Sequence, residues 1–325
     1  MRTWLIRFAV VLALAGAIAG GTLLQVYFQR DSQGPSEEAV TLVIAKGAGV
    51  RTIARQLEGA GVITSVWRFL IADRLTGGGP LLAGEYTFPA KVSLSMVLDI
   101  VRSGRVVTHR FTLPEGWTVS RLVRELKEID TLTGDIGPIP EEGSLLPQTY
   151  FYVRGDRRDA LIERMKNNMD EVLETLWRAR QPGLALKNAR EAVILASIVE
   201  KETSRDDERP HVAAVFLNRL SLGMRLQSDP TTIYALSDGD GVLDRPLKRS
   251  DLTLDHPYNT YVAKGLPPAP ICNPGRASMA AVLNPLSSKN LYFVADGSGG
   301  HLFSGNLDEH NRNVQKLRKR NNGSP

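Results

Sequence analysis

AVILASIVEKE, residues 192–202, runs eight mostly apolar positions straight into a carboxylate, Glu200, with a second, Glu202, two residues on. Extended to 188–204 and placed on a wheel at about 100° per residue, the segment carries apolar side chains in almost every sector. A helix that is apolar all round is a central one, so this stretch predicts a mainly helical core for the C-terminal part of the chain. On the wheel Glu200 falls between Val193 and Ala196, and Glu202 between Leu195 and Ile198, on nearly the opposite side. One helix is thus expected to bury two carboxyls in different environments. Burial favours the protonated form of a carboxyl, and a carboxyl protonated near neutral pH is a proton donor. The wheel leaves open which of the two does chemistry. It also leaves open the plainer reading that an Arg of the following helices, Arg209 or Arg219, neutralises one of them.

Further helix-period segments lie at Asp159–Arg178 and Pro210–Leu220. Long loops rich in Pro, Asn and Gly follow at Gly223–Thr232, His256–Gly275 and Gly297–Gly305, with a short apolar strand at Leu291–Ala295. The loops read GMRLQSDPTT (223–232), HPYNTY (256–261) and GLPPAPICNPG (265–275). Aromatic faces of this kind stack on sugar rings, and amide, hydroxyl and carboxylate groups bind sugar hydroxyls and N-acetyl groups. Each loop alone also reads as an ordinary turn.

Towards the N-terminus a weak internal repeat appears. Val43–Leu57 reads as strand, turn at Gly47, then a helix carrying Val50, Ile53, Ala54 and Leu57. Thr87–Val101 and Thr112–Leu126 repeat the order, with helical stripes Leu94, Val97, Leu98, Val101 and Val119, Leu122, Val123, Leu126. Ser93 and Thr118 stand where helix caps belong. The pattern resembles the LysM-type modules that hold cell-wall glycans, and equally fits a spacer.

Phe8–Phe28 carries no charge and as a helix spans roughly 30 Å, a bilayer core. Arg2 and Arg7 precede it, so the basic side is expected to stay in the cytoplasm and the rest to be exported. Ala17-Ile18-Ala19 keeps a cleaved signal peptide as the alternative. The expected layout is a cytoplasmic end at 1–7, a transmembrane helix at 8–28, a linker at 29–39, a LysM-like α+β module at 40–136 and a larger, mainly helical domain with short strands and long loops at 137–325.

The charge of +5 is mild, and the basic tail Lys316–Arg320 reads as a solvated end with no stacking aromatics, so no nucleic-acid partner is expected. The single cysteine, Cys272, excludes an internal disulfide and lacks a His partner nearby. HExxH, Cys/His metal spacing and G-x-S-x-G are absent, and Thr76–Pro80 lacks the Lys-Ser/Thr of a phosphate loop. No metal or other cofactor is called for.

ASIVEKE (196–202), GMRLQSDPTTIYA (223–235), PYNTY (257–261), GLPPAPICNPG (265–275), LYFVADGSGGHLFS (291–304) and EHN (309–311) together resemble the endolytic murein transglycosylase family, in order across roughly 141–314. The resemblance implies a lytic transglycosylase held in the bacterial inner membrane, its catalytic domain periplasmic. Its substrate would be nascent peptidoglycan glycan strands beside peptidoglycan synthases. It implies that Glu200 is the catalytic acid/base and that Glu202 is a supporting carboxylate; desolvation by Val193 and Ala196 is expected to keep Glu200 protonated. Gln227, Ser228, Asp229, Thr231, Tyr258, Asn259 and Tyr261 match the groove motifs as glycan-binding or loop-fixing residues. The chain departs from the family pattern at Leu146 and Gln148 and at His256, which leaves Glu142, Tyr150 and His256 weaker candidates. A lysozyme-type hydrolase and a non-catalytic wall-binding scaffold are the competing readings.

Overall fold

The computed structural model describes residues 2–322. Met1 of the expected cytoplasmic end and residues 323–325 of the expected catalytic segment lie outside the described residues, as do the side chains of Arg2 and Arg320. Among the described residues the fold mixes eleven α-helices with three two-stranded sheets. It divides into two compact units, residues 1–109 and 110–325.

The first unit opens with α1 (Arg2–Gln29), whose apolar span Trp4–Gln29 is long enough to cross a membrane. The helix begins before the uncharged run, so Arg7 lies inside it. Next come β1 (Val40–Ile44), α2 (Val50–Gly59), α3 (Val66–Leu75), β2 (Gly84–Phe88) and α4 (Leu94–Ser103). β1 and β2 pair antiparallel, Val40 opposite Phe88 and Ile44 opposite Gly84. Ile44, Tyr86 and Phe88 meet Ile53, Ala54, Leu57, Val97, Leu98 and Val101 in one core, the stripes the repeat predicts. Ser93 caps α4 by accepting the Met96 N–H at 3.3 Å. The segment read as a short linker is hydrogen-bonded to the rest of this unit. Gly34 N–H donates to the Lys91 carbonyl at 3.2 Å, Lys91 N–H to that of Ser36 at 2.6 Å, and Ser95 N–H to that of Arg30 at 3.0 Å.

The third copy of the repeat belongs to the second unit. β3 (Thr108–Thr112) pairs with β4 (Thr149–Val153), not with β1 or β2. Phe111, Leu113 and the Leu122 and Leu126 stripe of α5 (Val119–Lys127) bury against Leu145, Tyr150, Leu161 and Met165. That packing places the division at 109/110, earlier than the expected 136/137. Thr118 caps α5, accepting the Arg121 N–H at 3.3 Å.

The second core gathers around α7 (Ala189–Glu202), in which every residue from Ala192 to Val199 is buried. α6 (Arg158–Arg178), α8 (Arg209–Ser221) and α10 (Arg276–Leu283) pack on it. Asn188 starts α7, its side-chain oxygen accepting the Glu191 N–H at 2.9 Å, while Glu191 reaches back to Lys187 N–H at 2.7 Å. Two stretches read as loops contain further elements. α9 (Asp229–Leu236) starts inside 223–232, and β6 (His301–Ser304) inside 297–305 pairs with β5 (Tyr292–Ala295). α11 (Leu307–Asn322) carries the basic tail.

Candidate active site

The loop at 270–275 is fastened along α7. Ser197 Oγ donates to the Ile194 carbonyl at 2.7 Å and accepts the Ile271 N–H at 3.0 Å. The same loop is tied to the turn Pro114–Trp117. Gly116 N–H donates to the Asn273 carbonyl at 3.0 Å, and Asn273 N–H and Nδ2 return bonds to the Trp117 carbonyl at 2.9 and 3.0 Å. These ties bring the end of α7, the start of α8, the 114–117 turn and Gly275 to one point.

Glu200 is at that point. Its side chain is 5% exposed, with Oε2 accepting the Gly275 N–H at 2.9 Å and Oε1 at 3.5 Å from Nη2 of Arg209. The carboxylate therefore meets a guanidinium and a backbone amide, partners that the wheel does not show. The reason is reach: at the last turn of α7 the side chain extends beyond the packed layer to α8 and the loop. Pairing by Arg209 is thus present, but this cation is shared. Its Nη2 is also 3.6 Å from Glu115, and Nη1 pairs with Asp206. Burial first, then the charge of Glu200, pushes the Glu115 carboxyl up; Arg209 opposes them.

Glu202 points elsewhere. It is half-buried, its carboxyl desolvated, and it accepts a 2.5 Å bond from Ser228 Oγ. Burial pushes its carboxyl up to about 7, against Ser228, with Asp229 adding and His301 and Arg219 opposing. Asp229 and Tyr261 belong to this cluster, the tyrosine hydroxyl donating to Asp229 at 2.6 Å. Burial, then Asp229, raises the Tyr261 phenol. Arg219 makes no ion pair with Glu202; it donates to the carbonyls of Leu226 and Leu291 at 2.7 and 2.6 Å.

Three of the sugar-binding candidates are buried and engaged with the protein itself. Thr231 Oγ1 donates to the Ser228 carbonyl at 2.7 Å and lies 2.8 Å from Thr260 Oγ1. Asn259 Oδ1 accepts Thr232 Oγ1 and Tyr261 N–H, while its Nδ2 donates to the Leu252 and Leu254 carbonyls. Ser228 binds Glu202. This geometry fits loop fixing. Gln227 and Asp229 are exposed; Gln227 holds φ +53°, a left-handed conformation uncommon outside glycine, while its N–H donates to the Thr260 carbonyl. Tyr258 is half-buried between His256 and Tyr234, ring centroids 5.8 and 4.9 Å away.

A third carboxyl, Glu142, accepts the Val119 N–H at 3.1 Å and Asn273 Nδ2 at 3.4 Å. Burial raises it to about 7, against the amides of Val119 and Gly143 and a bond from Tyr234. Tyr150 donates its hydroxyl to the Leu146 carbonyl at 2.7 Å and is pushed up to about 12 chiefly by burial. Cys272 is fully buried and its thiol is driven well up by desolvation, as suits a structural thiol. A cavity of about 580 Å³ between the 136–144 loop, α6 and Arg190 borders Glu142 but not Glu200.

The sequence matches the YceG-like family over residues 42–316. The chain belongs to the YceG-like family. The match takes in residues 42–109 of the first unit and 110–316 of the second, and leaves α1 outside it. A Bacillus subtilis relative named endolytic murein transglycosylase is 29% identical over 337 residues, covering 94% of this chain and 91% of that protein. A Streptococcus pneumoniae (strain D39) relative of the same name is 28% identical over 364 residues, covering 97% of this chain and 65% of its own longer length. The crystal structure of a yceG-like protein from Listeria monocytogenes aligns at TM-score 0.52 with 29% identity, covering 85% of this chain and 99% of that one.

Within this YceG-like chain, Glu115 stands at Glu200 from outside the motifs, whereas the Gly275 amide closes the motif at 265–275. Glu115 sits in the turn that opens the third repeat copy, where only its place before Gly116 hints at a special role.

Proposed function

We propose that this protein is a membrane-anchored lytic transglycosylase. It cuts the β-1,4 bond between N-acetylmuramic acid and N-acetylglucosamine inside peptidoglycan strands and so terminates nascent glycan elongation. Membership of the YceG-like family, whose named relatives are endolytic murein transglycosylases, is the observation that carries this reading. Glu200 supplies its chemistry. Its carboxyl gives a proton to the glycosidic oxygen as the C1–O bond breaks. The resulting carboxylate takes the proton of the C6 hydroxyl as that oxygen attacks C1 of the same muramyl ring. The product is a 1,6-anhydro end, and no water is consumed. An intramolecular nucleophile is already at high effective concentration, so no base-activated water is needed.

The Gly275 amide and Arg209 hold the Glu200 carboxylate in place. Gln227, Asp229, Tyr258 and Tyr261 contribute to strand binding, with Ser228, Thr231 and Asn259 fixing their loops. Residues 40–136 serve as a LysM-like wall-facing module. α1 anchors the chain in the inner membrane with the rest of the chain after it on the periplasmic side, since Arg2 and Arg7 belong to its cytoplasmic end. Nearby peptidoglycan synthases are the expected company.

The test is product mass spectrometry after digestion of purified sacculi. The wild type is expected to release anhydro-muropeptides, one water lighter than hydrolytic products, and Glu200→Gln to release none while remaining folded. Hydrolytic products would install the lysozyme-type reading; full activity of Glu200→Gln would remove Glu200 from its role.

A further inference from the structure

Breaking the C1–O bond builds positive charge on C1 and the ring oxygen, and a fixed anion beside that charge lowers the barrier. Asp229, the acidic residue of the loop motif, is bound to Tyr261 in the cluster around Glu202. Glu115 is the carboxylate on the Glu200 side. One guanidinium nitrogen, Nη2 of Arg209, lies 3.6 Å from Glu115 and 3.5 Å from Glu200, so the two acids flank a single cation. Glu200 is 5% exposed and Glu115 44%, which puts Glu115 on the side open to a strand. Arg209 itself is buried, with its Nε lacking a hydrogen-bond partner.

Gly275 shows how closely the pair is built. Its N–H holds Glu200, and a Cβ placed on it lies 1.9 Å from the Glu115 carboxylate. Its φ of −72° suits any residue, so glycine is needed here for space alone. The other charged groups facing the pair are Lys201, whose Nζ is 3.5 Å from the Gly116 carbonyl, and Asp206 on Arg209.

We propose that Glu115 is the second carboxylate of the catalytic centre, set across Arg209 from Glu200, where it supports the positive charge at the anomeric carbon while Glu200 moves the protons. The inference rests on the glycan-cleaving reading of Glu200 and adds a residue to it.

The experiment uses the full chain in detergent on purified sacculi, with kcat, KM, sacculus binding, pH profile and melting temperature measured for four variants beside Glu200→Gln. Glu115→Gln is expected to lower kcat by roughly 10²–10³-fold, the scale of losing one preorganised charge-stabilising group. KM, sacculus binding and melting temperature should hold, and the acid limb of the kcat profile should vanish because an ionised Glu115 is no longer required. Glu115→Asp should recover part of the loss. Gly275→Ala keeps the amide but puts a methyl where the Glu115 carboxylate lies, so it should lose kcat too. The double variant with Glu115→Gln should lose little more than either single one, since the two changes remove one interaction.

Glu115→Gln with wild-type kcat and an unchanged acid limb, beside an inactive Glu200→Gln, overturns the inference and leaves the reading of Glu200 standing. A loss that only tracks unfolded protein overturns it as well. An active Glu200→Gln removes both.

Discussion

At Glu202 the carboxyl is desolvated, bound by Ser228 Oγ, and raised from 4.5 to about 7. Between those two values the folded protein keeps a proton that the unfolded chain has released. Its contribution to stability is therefore full below about 4.5 and is lost as pH rises through about 7, a swing of roughly 3 kcal/mol. Glutamine mimics the neutral acid and cannot ionise. Glu202→Gln is expected to be nearly as stable as the wild type at pH 4.5 and to lose less stability by pH 8, as read by urea unfolding at both. A parallel pH dependence in the two proteins would show that Glu202 is not held neutral. Glu202→Ala leaves the Ser228 hydroxyl without its partner and should cost about 1–3 kcal/mol at pH 5. Glu142 shares the raised value, so the wild type keeps some of this pH dependence in either variant. The two glutamates of one motif thus separate physically: one meets a shared cation and a backbone amide, the other a hydroxyl.

The elements themselves were readable where their signals were local. The stripes of α2, α4 and α5, the caps Ser93 and Thr118, and the all-apolar α7 follow from spacing of a few residues. α3 was not read, since it buries only Phe69, Ala72 and Asp73 and shows little of a stripe. Pairing between distant segments was not readable either. Nothing in the third repeat copy says that β3 joins β4, and nothing near Glu115 names Arg209 or Gly275 as neighbours. Part of the site was legible for the same reason: a buried Glu leaves a mark on a helical wheel, whereas a carboxylate in an exposed turn leaves none. Ser197 is the residue through which the readable helix positions the unreadable loop. Its hydroxyl is the acceptor for the buried Ile271 N–H, and the Gly275 amide at Glu200 follows four residues later. Ser197→Ala should cost about 1–3 kcal/mol by leaving that amide unpaired, as measured by chemical denaturation. It should also lower kcat at temperatures where the protein stays folded. Wild-type stability in Ser197→Ala would mean the loop is held by its proline and asparagine contacts alone.

For the molecule as a whole, the segment after α1 decides how the first unit is carried. Residues 30–36 hold three backbone hydrogen bonds to Lys91 and Ser95, and Ser95 Oγ donates to Asp31 at 2.5 Å. Gly34 lies so close to the chain that a Cβ there would stand 2.1 Å from the Val92 carbonyl oxygen. A free tether would need neither contact; this strap leaves little slack between the helix and the first unit. If α1 spans the bilayer, that unit is held near its surface. The expected consequence is that a chain starting at Val40 loses the strap and is less stable than one starting at Arg30, by on the order of 2–4 kcal/mol for three hydrogen bonds. Gly34→Ala in the longer chain reproduces part of that loss, about 1–3 kcal/mol, because the carbonyl it meets is backbone and cannot turn aside. Urea unfolding of the three soluble forms measures both, and sedimentation with membranes should be retained only when α1 is present. Equal stability of the forms starting at Arg30 and Val40 would return 29–39 to the short linker that its polar, Gly- and Pro-containing sequence suggests.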